Sequence, residues 1–360
     1  MGHLLAQPPF SLSQREKTAF LAPALRELTA YHCLHCRPYG QILKAIGCLS
    51  QDQPGRSSFL PVRLFKQLKL CSVPETELFK ILTSSGTTSQ VPSRIYLNRR
   101  TAQLQTRVLV KILQDFLGKT RLPMLIVDHP GIISKRSSFS ARGAGILGMT
   151  TFGHSQTYLL NEDCQIDFAA LEEFTEKFSD SPVLIFGFTF MVWQYLVRAL
   201  EVAGRQIDLH QGVLVHSGGW KKLMDQAVDN ATFKQRLRQA TGIARVHNFY
   251  GMVEQVGSVF VECEAGRLHA PSCAEVAIRD PFDWRECSIG EEGLVEVRSL
   301  LPRSYPGHQL LTEDRGRLLG EDDCPCGRKG RTFQVYGRLP KAELRGCSDT
   351  HAEARQGGTI

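Results

Sequence analysis

The apolar run SPVLIFGF (residues 181–188) predicts a β-strand, and four similar runs occur between residues 122 and 263. They are LPMLIVD (122–128), QGVLVHSGG (211–219), ARVHNFYG (244–251) and SVFVEC (258–263). Helical patterns lie among them, at 100–118, 168–178 and 221–242. Strands that alternate with helices indicate an α/β fold of parallel sheets flanked by helices, whose ligands bind beyond the carboxyl ends of the strands. The polar loops after these strands are therefore where chemistry is expected.

The rest of the chain divides around this pattern. Residues 11–47 predict helices, with Ser11 or Ser13 as N-cap, and the sequence after residue 300 reads as β-rich. We expect a helical N-terminal region (1–77), an α/β core (78–300), and a β-rich subdomain with a tail (301–360). Cys33 and Cys36 fall on a predicted helix, and a single C-x-x-C pair of this kind indicates helix packing rather than a metal site.

Composition limits the function. The chain has 360 residues, with 43 basic against 36 acidic residues, and its basic residues are scattered. This mild excess makes no case for nucleic acid and suits an anionic substrate such as a nucleoside triphosphate. Eleven cysteines without a recognisable secretory signal predict a reducing, cytoplasmic setting. The longest apolar stretch, 182–193, is too short for a membrane span.

A hydroxyl-rich loop follows a predicted strand in FKILTSSGTTSQVPSRIYLN (79–98). The loop residues that could donate to an anion are Ser84, Ser85, Gly86, Thr87 and Thr88. A glycine-bearing loop can turn successive N–H groups towards one anion, which indicates a phosphate site. Taken alone, the same composition is equally typical of a Ser/Thr-rich surface turn.

Three further segments complete a possible ATP site. VHSGGWKK (215–222) places Gly218 and Gly219 after a strand, and HNFYGMVEQVGS (247–258) contributes Tyr250, Gly251 and Glu254. The third segment, LLTEDRGRL (310–318), places Asp314 in a predicted turn, and VYGRLPK (335–341) adds Arg338. ATP and Mg²⁺ need donors for phosphate, a stacking surface for adenine, a carboxylate for ribose and oxygen ligands for the metal.

These segments resemble the signatures of the adenylate-forming enzymes, in the same order along the chain. TSSGTTSQVPS is similar to the phosphate loop, YGMVE to a Tyr-Gly-x-Thr-Glu signature, and TED and YGR to the ribose and hinge signatures. The resemblance implies that Tyr250 stacks on adenine, Glu254 reaches Mg²⁺ and Asp314 binds ribose. The chain departs from the pattern at Val253, where threonine is usual, and at Ser93 and Arg94, where the loop normally ends in lysine.

Within that superfamily the chain most resembles the acyl-protein synthetase (LuxE) family, which combines SSGTT, GGWKK, YGMVEQ and a cysteine near the C-terminus, here Cys347. The resemblance implies activation of a fatty acid as an acyl-adenylate, its transfer to Cys347 as a thioester, and delivery to a partner reductase or carrier protein. Only about 22 residues follow Arg338, so the usual C-terminal lid domain has no expected counterpart. Phenylacetate–CoA ligase-like enzymes are the next most similar group.

Four residues form a separate pattern. Cys263 and His269 are six positions apart, and Cys324 and Cys326 lie in CPCG. Mixed thiolate and imidazole ligands suit tetrahedral Zn²⁺, and four protein ligands predict a structural site. The alternative is buried free cysteines with a surface histidine.

Three functions stay open from the sequence. The first is acyl transfer to Cys347, the second is transfer to coenzyme A or a carrier thiol, and the third is a nucleotide-binding scaffold without turnover. His154 and His216 could border the carboxylate pocket together with Phe186 and Phe188, although lone histidines are more often structural.

Overall fold

The computed structural model describes residues 6–47, 58–84, 91–134 and 141–339. These residues form two compact units. The β-rich unit contains the described residues up to Ser84, those from 91 to Phe116, and those from Tyr250 to 339. The parallel-sheet unit contains the described residues from Leu117 to Phe249. The three-region division expected from the sequence stays a prediction.

The β-rich unit begins with helices and continues as an antiparallel sheet. Its helices are α1 (Gln14–His35), α2 (Arg37–Ala45), α3 (Leu64–Gln67) and α4 (Arg99–Leu117). Strands β2 (Leu78–Thr83) and β3 (Arg94–Asn98) form a separate antiparallel pair. The larger sheet runs in the order β11 (Ala274–Arg279), β12 (Glu292–Ser299), β13 (Gln309–Glu321), β14 (Arg331–Arg338), β10 (Leu268–His269) and β9 (Phe260–Glu262), with β1 (Leu60–Pro61) parallel to β13.

The start of α1 confirms the predicted N-cap. The Ser13 N–H donates to Glu16 Oε2 at 2.9 Å while the Ser13 hydroxyl accepts from the Glu16 N–H, which is a reciprocal capping box. The prediction that Cys33 and Cys36 share one helix is wrong. Cys36 is extended and separates α1 from α2, because Pro38 in the first turn of α2 has no N–H to continue the hydrogen bonds of α1.

The parallel-sheet unit contains five parallel strands among its described residues. They are β4 (Leu122–Ile126), β5 (Gly153–Tyr158), β6 (Leu184–Phe188), β7 (Val213–Ser217) and β8 (Arg245–Tyr250), which ends where the chain returns to the β-rich unit. Their spatial order is β5-β4-β6-β7-β8. All residues of β6 are buried, which explains its unbroken apolar sequence. The predicted parallel α/β architecture is confirmed here.

The remaining helices of this unit connect the strands. They are α5 (Gly131–Ser134), α6 (Ala141–Met149), α7 (Phe168–Lys177), α8 (Thr189–Met191), α9 (Arg198–Val202) and α10 (Asn230–Thr241). A π-helix (Val192–Val197) joins α8 to α9. None of the helices in the described ranges is long and apolar enough to cross a membrane.

Two predicted elements differ in the structure. The helix expected over 221–242 is divided into a 3₁₀ segment, Lys221–Gln226, and α10. The division arises because the Asp229 carboxylate caps α10 by accepting the Thr232 N–H at 2.8 Å, which starts a new helix. The run SVFVEC forms β9 as predicted, but β9 pairs antiparallel with β10.

Candidate functional site

Three residues of the predicted nucleotide site meet in the β-rich unit. The Tyr250 hydroxyl donates to Asp314 Oδ2 at 2.6 Å, and Arg338 Nε lies 3.6 Å from Asp314 Oδ1. Asp314 and Arg338 are direct cross-strand partners in β13 and β14. The expectation of Asp314 in a turn is therefore wrong: it lies inside a strand, where antiparallel register places it beside Arg338.

The Tyr250 ring is half-buried against other aromatic rings. Its centroid lies 6.1 Å from that of Phe260 and 6.2 Å from that of Phe333. Burial, and secondly the charge of Asp314, raise the pKa of the Tyr250 hydroxyl well above its usual value. The hydroxyl therefore stays protonated near neutral pH and acts as the donor to Asp314.

Gly251 and Glu254 follow Tyr250 at the end of β8. Gly251 is exposed, whereas Glu254 lies in a single 3₁₀ turn, Val253–Gln255, with only 4% of its surface exposed. The Gln255 amide anchors this turn by donating to the carbonyls of Val297 and Gly307 at 3.1 and 2.8 Å. The role of Glu254 as a magnesium ligand stays a prediction.

The hydroxyl loop is described only at its ends. The Ser84 hydroxyl accepts the Ser93 N–H at 2.8 Å, and the Ser84 N–H donates to the Ser93 carbonyl at 3.1 Å. Ser84 and Ser93 thus extend the antiparallel pairing of β2 and β3 by one residue pair. The remaining predicted phosphate ligands, Ser85, Gly86, Thr87 and Thr88, lie outside the described residues, as does Cys347.

In the parallel-sheet unit, the predicted Gly218–Gly219 turn directly follows β7. Gly218 has φ +83°, in the left-handed region that favours glycine. Thr189, the first residue after β6, places its Oγ 2.7 Å from the Gly218 carbonyl and 2.9 Å from His216 Nδ1. Because the carbonyl can only accept, the Thr189 hydroxyl donates to it, and its oxygen accepts a hydrogen bond from His216 Nδ1–H.

Sequence reasoning missed Thr189, because a threonine at a strand end carries no distinctive signal. His216 is buried, and burial lowers its pKa to about 3, so its imidazole is neutral. His154 lies exposed in β5 with its Nδ1 3.1 Å from the Ser155 hydroxyl. Neither the contact of His216 with Thr189 nor that of His154 with Ser155 shows a catalytic role.

The four predicted metal ligands come together in the β-rich unit. The ligand atoms of Cys263, His269, Cys324 and Cys326 all lie within 4.8 Å of one another. Cys263 and Cys324 sulfurs are 3.6 Å apart, and Cys326 Sγ is 3.4 Å from His269 Nε2. Ligands of a tetrahedral Zn²⁺ with Zn–S of about 2.3 Å lie roughly 3.8 Å apart, so these spacings suit the ion.

Two tight turns present these ligands. The Gly266 N–H donates to the Cys263 carbonyl at 2.9 Å, and the Gly327 N–H donates to the Cys324 carbonyl at 3.0 Å, with both glycines at positive φ. Burial lowers the pKa of His269 to about 4, which keeps the imidazole in its neutral, metal-binding form. The geometry is compatible with zinc.

A shallow cavity of about 840 Å³ lies beside this cluster, away from Tyr250 and Asp314. Its lining includes Arg328, which already pairs with Asp115 at 2.8 Å and with Glu264 at 2.9 Å. The charge of its guanidinium is therefore balanced by these two carboxylates.

Comparison with known proteins identifies the family. A profile of the LuxE acyl-protein synthetases matches residues 2–355. The chain is 22% identical over 365 aligned positions to the long-chain-fatty-acid–luciferin-component ligase of Vibrio harveyi, covering 96% of this chain and 91% of that protein. It is 26% identical over 191 residues to the protein of the same name from Aliivibrio fischeri, covering 51% of this chain and about half, 48%, of that protein.

Solved structures support the fold. A 2-hydroxyisobutyryl-CoA ligase in an open conformation matches with a TM-score of 0.65 and 16% identity, over 93% of this chain and 78% of that one. The same ligase in a postadenylation state also gives 0.65, covering 70% of its chain. The predicted fold of the adenylate-forming ligases is therefore confirmed. The match of the family profile to nearly the whole sequence shows that the chain belongs to the acyl-protein synthetase (LuxE) family of ligases.

Proposed function

We propose that the protein activates a carboxylic acid with ATP, forming an acyl-adenylate and pyrophosphate. The observation that carries this proposal is the arrangement of Tyr250, Asp314 and Arg338 in a chain of the acyl-protein synthetase family. The names of the two bacterial relatives favour a long-chain fatty acid as the substrate.

Asp314 is the proposed ribose ligand. A carboxylate can accept both ribose hydroxyls while Tyr250 and Arg338 hold it from the protein side. The half-buried Tyr250 ring offers a stacking surface for adenine. The contacts among these three residues support this assignment, since they preorganise the carboxylate before the nucleotide binds.

The phosphate groups are assigned to loops at strand ends. We assign them to Ser84, Ser85, Gly86, Thr87 and Thr88 together with Gly218, Gly219 and Gly251. A substrate carboxylate oxygen attacks the α-phosphorus, and the bond to the bridging oxygen of pyrophosphate breaks, so that pyrophosphate leaves with the electron pair. Glu254 is the proposed ligand of Mg²⁺, which when bound neutralises charge on the phosphates.

The proposed acyl acceptor is Cys347. Its thiolate would attack the acyl carbonyl carbon, and the bond between that carbon and the AMP oxygen would break, leaving a thioester and AMP. A second thiol or a reductase could then receive the acyl group. The family description, an acyl-protein synthetase, supports a protein acceptor.

The test uses radiolabelled tetradecanoate with ATP and Mg²⁺, followed by denaturation and hydroxylamine. We expect the label to stay on the wild-type protein after denaturation and to be released by hydroxylamine. Cys347→Ser should retain pyrophosphate exchange and lose this label, whereas Cys33→Ser, at a half-buried cysteine of α1, serves as the control. Undiminished labelling of Cys347→Ser would reject this acceptor.

The same assay addresses the two other functions. Acyl-CoA formation that replaces protein labelling when coenzyme A is added would indicate a CoA ligase. An absence of pyrophosphate exchange in folded wild-type protein would indicate a nucleotide-binding scaffold.

We also propose that Cys263, His269, Cys324 and Cys326 bind one structural Zn²⁺. The close approach of the four ligand atoms supports this, and four protein ligands leave no open position for catalysis. When bound, the ion would cross-link the turn after β9 to the turn between β13 and β14.

A further inference from the structure

A buried ion pair lies at the carboxyl edge of the parallel sheet, outside the residues assigned above. Asp128 follows β4 by two residues, and Arg142 lies in the first turn of α6. Arg142 Nε is 3.0 Å from Asp128 Oδ2, and both side chains are only 1% exposed. Burying two charges is costly unless their remaining hydrogen-bonding atoms are satisfied.

The strand order shows where in the sheet the Asp128–Arg142 pair lies. In the spatial order β5-β4-β6-β7-β8, the chain goes from β4 to β5 on one side and then crosses to β6 on the other side. The direction of winding therefore reverses between β4 and β6. Ligands of such sheets bind beyond the strand ends at this switch point. Asp128 follows β4, and Met191, which follows β6, has its sulfur 3.8 Å from Arg142 Nη1. The guanidinium therefore bridges the two sides of the switch point.

Three hydrogen-bond donors in this cluster make no hydrogen bond within the described ranges, and one of them, Arg142 Nε, has only its charge contact with Asp128 Oδ2. Arg142 Nη2 is buried and has no hydrogen-bond partner among the described residues. The hydroxyl of Tyr158, the last residue of β5, is likewise buried with no partner within the described ranges. Tyr158 is the register partner of Ile126 in β4, two residues before Asp128, and burial, with the charge of Asp128 second, raises the pKa of its hydroxyl. Buried donors without acceptors cost free energy, so proteins seldom leave them unsatisfied.

We propose that Arg142 binds the carboxylate of the acyl substrate at this switch point, with the Tyr158 hydroxyl as a second donor. Asp128 holds one edge of the guanidinium and leaves Nη2 for the substrate, since a guanidinium can serve two carboxylates from different edges. This inference rests on the proposed function, because it assumes a carboxylic acid substrate.

The surroundings suit an acyl chain. Met191 contacts the guanidinium, and Phe188 lies against α6 so closely that a Cβ at Gly145 would be 3.2 Å from its ring. The carboxylate of a fatty acid only accepts hydrogen bonds, so it matches two donors set among apolar side chains. A water molecule matches them less well, since it also brings donors of its own.

The experiment compares tetradecanoate with tetradecanol, which lacks the carboxylate, by calorimetric titration without ATP. We expect the wild type to bind the acid at least about tenfold more tightly than the alcohol. Arg142→Gln should abolish this preference, and Tyr158→Phe should reduce it several-fold. Arg205→Gln, which changes an exposed arginine of the same unit, should leave it unchanged.

Three outcomes would overturn the proposal. The first is a folded Arg142→Gln protein that keeps the preference for the acid. The second outcome applies if Arg142→Gln does not fold, and it is an unchanged preference for the acid in Tyr158→Phe. The third is Arg142-dependent binding of inorganic phosphate that tetradecanoate does not displace, which would assign the site to a phosphate. Because ATP is absent, these results are independent of the labelling test of the proposed function.

Discussion

Tyr250 and Asp314 are 64 residues apart in the chain, yet the hydroxyl of the first donates to the carboxylate of the second at 2.6 Å. The strand pair β13–β14 places Arg338 on the other carboxylate oxygen. Asp314 is thus held from both sides by residues whose positions depend on strand register. A carboxylate restrained in this way is suited to recognise a pair of ligand hydroxyls.

Tyr250→Phe should weaken nucleotide binding while retaining the aromatic ring. A hydrogen bond to a charged group contributes about 1.5–3 kcal/mol, so we expect KM for ATP in pyrophosphate exchange to rise about tenfold. KM for the fatty acid should stay the same. Tyr336→Phe, at an exposed tyrosine of β14, is the matched control. Equal KM values for ATP in the wild type and Tyr250→Phe would remove Tyr250 from the ribose site.

Thr87→Ala should impair adenylate formation without unfolding the protein. Loss of one preorganised donor to a transferring phosphoryl group costs roughly 2.7–4 kcal/mol in the transition state. Gly86→Val should act in the same direction, and Thr106→Ala, at an exposed position of α4, should not. Pyrophosphate exchange at the wild-type rate in Thr87→Ala would exclude the loop from the mechanism.

Thr189→Val should disturb the Gly218 turn. The substitution keeps the shape but leaves the Gly218 carbonyl and the His216 Nδ1–H without their partner, at about 1–3 kcal/mol of unfolding free energy. We expect lower stability in urea and a higher KM for ATP. Thr189→Ser, which retains the hydroxyl, should restore both values. If Thr189→Ser and Thr189→Val behave alike, the hydroxyl does not position the turn.

Cys324→Ser should lower zinc content and stability together. Metal analysis should find one zinc per wild-type chain, and a chelator should lower the midpoint of thermal unfolding, because binding to the folded state is linked to folding. Cys71→Ser, at a half-buried cysteine outside the cluster, should keep the metal. Metal-free wild-type protein that is equally stable with and without chelator would contradict the zinc proposal.

Two stacked histidines in the β-rich unit should make stability depend on pH. His32 and His308 have ring centroids 5.0 Å apart, and burial lowers the pKa of His32 to about 4. The unfolded imidazole, with a pKa of about 6.5, therefore takes up its proton at higher pH than the folded one. The free energy of unfolding should be largest above pH 6.5 and fall by on the order of 3 kcal/mol as the pH decreases to 4.

Urea unfolding at several pH values checks this dependence. His32→Gln should reduce the loss of stability between pH 6.5 and 4, whereas His154→Gln, at an exposed position of β5, should leave it as in the wild type. An identical slope in His32→Gln and the wild type would show that other groups cause the dependence.

Much of the secondary structure was predictable from local sequence. Apolar runs indicated β4, β6 and β7, because strands buried on both faces need apolar side chains at nearly every position. The Ser13 cap was predictable as well, since its partner Glu16 lies only three residues away. The C-x5-H and C-x-C spacings indicated the four residues of the metal cluster. The turns that follow Cys263 and Cys324 are formed by residues adjacent in sequence, so they were predictable as well.

The sequence alone therefore determined the local elements and the residue types available for chemistry. Tertiary structure decided which of them meet: Asp314 beside Arg338 through the register of two strands, and Thr189 beside Gly218 through neighbouring strand ends. It also decided that Arg142 lies across the switch point from Met191. The physical reason is that local propensity depends on neighbours in sequence, whereas these contacts depend on strand order and register, which are set by packing of the whole sheet.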